Sequence, residues 1–373
     1  MRILVYEFAS GGGLAGRDVP ASLVREGSAM RAALVGDLLA IGTHEIVTTS
    51  DARSVGELPH GVEIVTLQRS LPPLCSEVSP AAKSPSTLRR SLQAPLLDSV
   101  IADVDAVWLI APETDGCLEQ LAMQVERHGT MLVGPAAAAI AAASNKAQFA
   151  SRLALVGIRH PKTWSVAGAS RAEAAANELG YPVVVKPVRG AGSCGVCVAQ
   201  DAFELRHAVD AARDAGGDEV LVQEYMHGAA ASVSLLTNGR DAVPLTVNAQ
   251  TIASPPSFEY LGGQTPFEHP RAAVAVAAAL DTCRAIAGLR GFVGVDVVLT
   301  ETDAVVIELN PRLTTAYLGV RAAIDENVAA LALAACGGDL PAQPRPRRQV
   351  RFPAGGAVAV DGSARNFVAG AFA

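Results

Sequence analysis

The 373-residue sequence predicts an α/β protein in three parts. They are a parallel-sheet domain, a compact α+β lid, and a second α+β unit carrying an antiparallel sheet. Three observations predict this. Short apolar runs alternate with helical stretches over roughly the first 135 residues, the pattern of a parallel sheet. A glycine-rich turn near residue 190 joins two strand-like runs. Two further apolar runs, Gly291–Leu299 and Ala304–Leu309, are separated only by the polar turn Thr300-Glu301-Thr302-Asp303, which marks a hairpin.

Taken in order, residues 2–6, 45–48, 63–66, 105–110 and 131–133 read as strands, with helices over 20–41 and 117–128. Residues 70–95, rich in Pro and Ser, read as a surface excursion. A helical pattern runs over 136–155, followed by a strand at 161–165, a helix at 171–179 and the strand Pro182–Lys186. Beyond the glycine-rich turn come a strand at 195–199, a helix at 201–215 and the strand Glu219–Glu224. The remainder alternates strands (231–237, 242–248, 292–299, 304–309) with helices (270–288, 320–336). The expected boundaries are 1–135 for the first domain, 136–225 for the lid and its first subdomain, 226–340 for the last subdomain and 341–373 for a tail.

Composition excludes several classes of function. Half the residues are hydrophobic and 18% are charged, so the chain can bury a sizeable core. A formal net charge of -7 with no long basic run argues against nucleic acid. Arg345, Arg347 and Arg348 read as part of a solvated, Pro-rich segment. No apolar stretch is long enough to span a bilayer, and the N-terminal residues lack the pattern of a signal peptide. The expectation is a cytoplasmic protein. Cys194 and Cys197 have C-x-x-C spacing, but no second pair completes a zinc site and no helix N-terminus activates a thiol, so a structural role is expected.

Two glycine fingerprints stand out. Gly11, Gly13 and Gly16 follow the first strand, yet Arg17–Pro20 intervene before the helix and the first acid after the second strand is Asp51. A dinucleotide site needs an immediate helix and an acid about 20 residues on. The segment therefore reads as a small-ligand loop or a plain turn. Gly190, Gly192 and Gly195, with Ser193 among them, sit between two strands instead. Such a hairpin can fold over phosphates, its N–H groups donating to their oxygens. Lys186 closes the apolar run Val183-Val184-Val185 just upstream, and a buried ammonium needs an anionic partner.

The hairpin at 291–310 supplies the strongest physical argument. If it pairs symmetrically about Thr302, Asp296 lies opposite Glu308, and Asn310 shares Glu308's face because strand side chains alternate. Facing carboxylates in an apolar ladder repel unless a cation lies between them. Oxygen donors without His or thiolate suit Mg²⁺ or Mn²⁺.

With these pieces in view, residues 1–330 resemble the ATP-grasp family. Gly134-Pro135 followed by Asn145-Lys146 resembles the lysine that opens the grasp. Val183–Lys186 with Gly190–Gly195 resembles the second lysine and its phosphate-covering loop. Gln223-Glu224-Tyr225-Met226 resembles the hinge that reads adenine, and Asp296, Glu308 and Asn310 resemble the metal triad. A narrower likeness, to the tyramine–glutamate ligase group of methanofuran biosynthesis, rests on Glu7–Gly12, Glu26–Met30, Ala111–Gly116, Ala231–Leu236 and Asn310–Thr315.

The resemblance implies an ATP-grasp fold and an ATP-dependent ligase that forms an amide through an acyl phosphate. Lys146 and Lys186 would hold phosphates, and Mg²⁺ or Mn²⁺ would sit on the triad. Glu7, Gly11, Gly12, Glu113 and Asp115 would shape the substrate end. The narrower likeness implies the γ-carboxyl of L-glutamate and tyramine or tyrosine as substrates, with another glutamate-adding or dipeptide-forming ligase as the alternative. Small molecules are the expected partners, and a homodimer is left open. Two departures matter. Ala230 stands where many relatives carry a ribose-binding glutamate, and Gly294 where several carry an arginine, which leaves Arg312 to steady the acyl phosphate.

Overall fold

Three sheets organise the chain in a computed structural model that describes residues 1–14, 21–51, 58–67, 97–253, 258–355 and 358–360. The first is five-stranded and parallel throughout, in the order β3-β2-β1-β4-β5. It is formed by β1 (Arg2–Glu7), β2 (Glu45–Asp51), β3 (Glu63–Leu67), β4 (Ala106–Ile110) and β5 (Met131–Leu132). Helix α1 (Ala21–Ile41) covers one face; α2 (Leu97–Ala102) and α3 (Cys117–Arg127) cover the other. The central strands β1 and β4, buried on both faces, read as continuous apolar runs, which is why they are legible in the sequence. The serine- and proline-rich excursion and Gly16 lie outside the described residues.

The helical run expected over 136–155 is two helices, α4 (Ala137–Ser144) and α5 (Lys146–Leu155). Asn145 separates them: its backbone is extended and its side chain accepts the Gln148 N–H at 3.0 Å, capping α5. The lid follows as β6 (Thr163–Ala167), α6 (Ala169–Leu179), β7 (Val183–Pro187), β8 (Cys197–Ala199), α7 (Ala202–Gly216) and β9 (Glu219–Glu224). Its four antiparallel strands run in the order β6-β9-β7-β8. The lid has an apolar core of its own, in which Val183, Val185, Val220 and Val222 meet Ala172, Ala176, Leu205 and Val209. Cys194 and Cys197 are free thiols at its glycine-rich end.

A seven-stranded antiparallel sheet, ordered β14-β13-β10-β11-β12-β15-β16, forms the last unit. Its strands are β10 (Ala229–Asn238), β11 (Ala242–Ile252), β12 (Tyr260–Thr265), β13 (Arg290–Leu299), β14 (Ala304–Asn310), β15 (Val350–Pro353) and β16 (Ala359–Val360). Helix α8 (Ala272–Ala285) packs on it. The single helix expected over 320–336 is instead α9 (Ala316–Ala323) and α10 (Val328–Cys336), broken at a second asparagine cap, where Asn327 accepts the Ala330 N–H. Strand β12 escapes the apolar-period reading because its YLGGQT sequence has little side chain to alternate. Strands β15 and β16 lie in the segment set apart as a tail, and Phe352 is buried beneath the sheet. Arg347 and Arg348 are exposed or nearly so and pair with Asp325. No described helix is long and apolar enough to cross a membrane.

The parallel sheet and the last unit share one core, in which Ile3, Val5 and Leu34 meet Phe292, Tyr317 and Ala332. A buried polar weld reinforces it. Asp37 on α1 accepts the Tyr317 hydroxyl at 2.6 Å and Arg321 at 2.8 and 2.5 Å, while its backbone carbonyl accepts from Asn327. Removing one partner of such a cluster leaves the others desolvated and unpaired. Asp37→Ala should therefore lower stability by about 2 kcal/mol in chemical denaturation, in the range for charged hydrogen bonds. A change no larger than that of exposed Asp241→Ala would refute the weld.

Candidate nucleotide and metal site

The hairpin β13–β14 brings the expected acids together. Asp296 pairs with Glu308 and Gly294 with Asn310, so all three polar side chains occupy one face. The register is not symmetric along its length. Near the turn Leu299 pairs with Ala304 and Val297 with Val306; Ile307 then stands unpaired as a bulge, and the shift it makes sets Glu308 opposite Asp296. Asn310 donates to Asp296 at 3.0 Å, and Gln250 on β11 donates to its other oxygen at 2.9 Å. On the same face of the sheet, Asn248 donates to Ser232 and Ser234 and accepts from Thr246.

Both lysines arrive from the lid side. Lys146 opens α5, and its ammonium donates to Glu308 at 2.8 Å and to the Gly190 carbonyl at 3.2 Å. Lys186 is the penultimate residue of β7 and is 4% exposed. It forms none of the ion pairs seen among the described residues, and its charged neighbours are Lys146 and Glu308. Burial, then the like charge of Lys146, push its pKa down from 10.5 to about 8, with Glu308 opposing. Burial works against the charge on Glu308 too, but Lys146 and Lys186 outweigh it and hold its pKa below the ordinary value. Asp296 moves the other way: burial and the facing Glu308 raise its pKa, and Asn310 and Gln250 only partly offset them. The cation beside the acids, which the sequence argument expected to be a metal, is in this structure the Lys146 ammonium. Asp296, Glu308 and Asn310 still present the oxygen donors that fit a hard divalent cation. Among the described residues no group of three or more His, Cys, Asp or Glu could hold a metal, so the amide is part of any such set.

Above the lysines the glycine hairpin follows β7. Gly192, Ser193 and Gly195 all have left-handed φ, +67°, +60° and +70°. A side chain at Gly195 would meet Ala215 at 2.5 Å, so only glycine fits between this loop and α7. Gln223 to Met226 leave β9 toward β10 as the sequence reading placed them. The Gln223 side chain is turned to Thr163 and His160 at 2.7 and 3.2 Å, and Glu224 accepts the Lys162 N–H. His160 is fixed by the Val306 carbonyl at the bulge, and burial followed by Lys186 lowers its pKa to about 4, so the ring is neutral.

At the other end, Arg312 is bound to Glu113 at 2.8 Å. Burial opposes its charge, and Glu113 and then Glu26 sustain it. Glu26 in turn accepts the Thr315 hydroxyl, while burial, then the charges of Asp296 and Glu26, raise the pKa of the Tyr260 hydroxyl above its ordinary value. Glu7 faces inward: its carboxylate accepts Ala9 N–H at 2.9 Å, Ser10 N–H at 2.6 Å and the Ser10 hydroxyl, and it packs under Gly27. Gly11 and Gly12 complete that loop, where a side chain at Gly11 would strike the Glu7 carbonyl at 2.3 Å. Asp115 sits beyond Glu113 with φ +51°. The structure thus gathers Lys146, Lys186, the glycine hairpin, Asp296, Glu308, Asn310 and Arg312, and makes Glu113 the partner of Arg312. Sequence reasoning passed over Gln250 and Tyr260. The polar alternation Thr246, Asn248, Gln250 on β11 was the available signal for the first.

Comparison with known proteins bears on this arrangement. Residues 143–316 match the model of the ATP-grasp domain, and residues 44–140 that of the pre ATP-grasp 3 domain. A D-alanine–D-alanine ligase of Desulforudis audaxviator is 30% identical over 219 residues, 55% of this chain and 69% of that protein. The chain belongs to the ATP-grasp family. This ATP-grasp chain is also 27% identical over 220 residues to the tyramine–L-glutamate ligase of Methanocaldococcus jannaschii, and the match spans 59% of each protein. An ATP-grasp superfamily protein of Archaeoglobus fulgidus superposes with a TM-score of 0.62 at 24% identity, covering 94% of this chain and 92% of that one.

The depressed Lys186 sets a pH test. A polyanion bound beside it restores its pKa upward, so binding takes up a proton between about pH 8 and the ordinary lysine value near 10.5. Titration calorimetry of ATP at pH 9, in buffers of different ionisation enthalpy, should show uptake approaching one proton that is missing in Lys186→Met. Equal uptake in parent and variant would remove Lys186 from the nucleotide.

Proposed function

We propose that this ATP-grasp protein is an ATP-dependent ligase that activates a carboxylate as an acyl phosphate and transfers the acyl group to an amine. One observation carries the reading. Two buried lysines meet two facing carboxylates and an amide beneath a glycine hairpin, with an arginine a few residues beyond. Phosphoryl transfer asks a protein for positioning and charge neutralisation more than for covalent help.

Lys146 and Lys186 hold the phosphates, and the N–H groups of Gly190, Gly192, Ser193 and Gly195 cover them. Gln223 to Met226 line the adenine end; with Ala230 in place, no acidic side chain at that position meets the ribose. Asp296, Glu308 and Asn310 would hold Mg²⁺ or Mn²⁺, which when bound offsets charge on the phosphate oxygens. A carboxylate oxygen attacks the γ-phosphorus, the bond to the β–γ bridging oxygen breaks, and ADP leaves. Arg312, kept charged and oriented by Glu113, steadies the acyl phosphate with its fork of donors. The lid excludes water from that intermediate. The amine nitrogen then attacks the acyl carbon, the carbon–oxygen bond to phosphate breaks, and the proton lost by the amine ends on the departing phosphate.

For the substrates we propose the γ-carboxyl of L-glutamate and an aromatic amine, tyramine or tyrosine, as for a coenzyme of the methanofuran kind. The similarity to tyramine–L-glutamate ligase supports this choice, and the similarity to D-alanine–D-alanine ligase supports another amino-acid or peptide ligase as the alternative.

Thermal stabilisation by ATP should require a divalent cation and be largely lost in Glu308→Ala, since a ligand that binds only the folded state stabilises it by an amount that rises with its concentration relative to Kd. Stabilisation of variant and parent by the same amount would refute the metal assignment. Glutamate and tyramine should release one phosphate per γ-linked amide, with aspartate much poorer because a missing methylene moves the reacting carboxylate out of line. Arg312→Lys should lose at least about tenfold in turnover, because a point charge cannot replace the bidentate fork. Turnover with two D-alanines but not with this pair would decide for the alternative.

A further inference from the structure

The turn between β4 and α3 makes a contact at each end of the site. Glu113 holds the Arg312 guanidinium at 2.8 Å. The next residue, Thr114, accepts the Ala191 N–H on its hydroxyl at 3.2 Å. Glu119, at the start of α3, pairs with Arg189 at 3.1 Å, with the two side chains 26% and 34% exposed. Ala191 and Arg189 flank Gly190, whose carbonyl receives Lys146. The hairpin over the phosphates, rich in residues of left-handed φ, is therefore held from outside the lid.

The turn that holds it is itself rigid. Gly116 N–H closes on the Glu113 carbonyl at 3.1 Å, Leu118 N–H on the Pro112 carbonyl at 3.0 Å, and Cys117, Leu118 and Leu121 are buried under the parallel sheet. Asp115 takes a left-handed φ of +51° without being glycine, a conformation that such over-determined surroundings sustain.

We propose that the segment Glu113–Glu119 is a positioning element, in which Thr114 and Glu119 preset the glycine hairpin over the phosphate position. Its Glu113 holds Arg312 from the same turn, so the loop at the phosphates and the arginine at the acyl phosphate share one anchor. The proposal rests on the nucleotide reading given above. A loop ordered before ligand arrives spares the ligand the entropy of ordering it, so the anchor adds to affinity for the nucleotide. Because the anchor stands on the first domain and the loop on the lid, it also favours the closed lid.

The test uses the full chain and Mg-ATP alone. Glu119→Arg and Arg189→Glu should each weaken Mg-ATP binding about three- to fivefold in titration calorimetry, the scale a part-exposed ion pair supplies. The double exchange should return to within about twofold of the parent, and Thr114→Val should weaken binding without touching the ion pair. Amides of residues 189–196 should exchange faster in the unliganded single variants while the melting temperature stays near the parent's. If the parent binds no Mg-ATP, the nucleotide reading itself fails. If the parent binds and the single variants bind as tightly or more tightly, or the double exchange restores nothing, the anchor is overturned.

Discussion

An extra residue in one strand decides whether this chain has a site. The turn at Thr300–Asp303 sets the β13–β14 pairing, and if that pairing ran on unbroken, Asp296 would face Ile307 and Glu308 would point through the sheet into apolar packing. The bulge at Ile307 adds one residue and turns Glu308 back to the face of Asp296. The same place receives the lid's first segment, where Val306 donates to the Arg159 carbonyl and accepts from His160. One irregularity thus aims a carboxylate and seats the root of the lid.

The charges gathered there are in near balance without ligand. Lys146 satisfies Glu308, Asp296 leans on two amides and a raised proton affinity, and Lys186 is left in the weakest position, buried beside a like charge. On the proposed reading, a triphosphate with its cation would relieve each of these strains at once. Neighbouring groups are spent on orientation: His160 is neutral and bound to backbone, Gln223 is bound to His160 and Thr163, and Glu7 is folded under its own loop. The Arg312 end is less symmetrical, since Arg312 and Glu113 answer one another while Glu26 on α1 accepts from Thr315.

Much of this was legible because it is local. Apolar runs showed the parallel strands, and Asp296, Glu308 and Asn310 interrupted otherwise apolar ladders at readable spacing. The face-to-face pairing of Asp296 and Glu308 came out correctly from an assumed symmetry about Thr302 that the strands do not have; the bulge supplies the same result by another route. What stayed hidden was tertiary. The Lys146–Glu308 contact joins residues 162 positions apart, and no periodicity foretells it. The breaks at Asn145 and Asn327 were written as helix caps but lay inside runs of alanine that read as continuous helix. Strand β12 was missed for want of side chains, and β15 because an Arg- and Pro-rich stretch precedes it.

The placement of β15 has a consequence for how the protein is made. Its Phe352 ring fills the space left by Gly319, within 2.4 Å of where a side chain there would begin, and it borders Gly263 on β12. A ribosome emits the lid well before this residue, and the lid can close on its own core as it emerges. The larger sheet cannot. Until residue 350 leaves the exit tunnel, β12 is an open edge and the slot at Gly319 on freshly made α9 lies bare. Nascent chains of this protein therefore expose an unpaired strand edge and an apolar slot for the interval between making α9 and making β15.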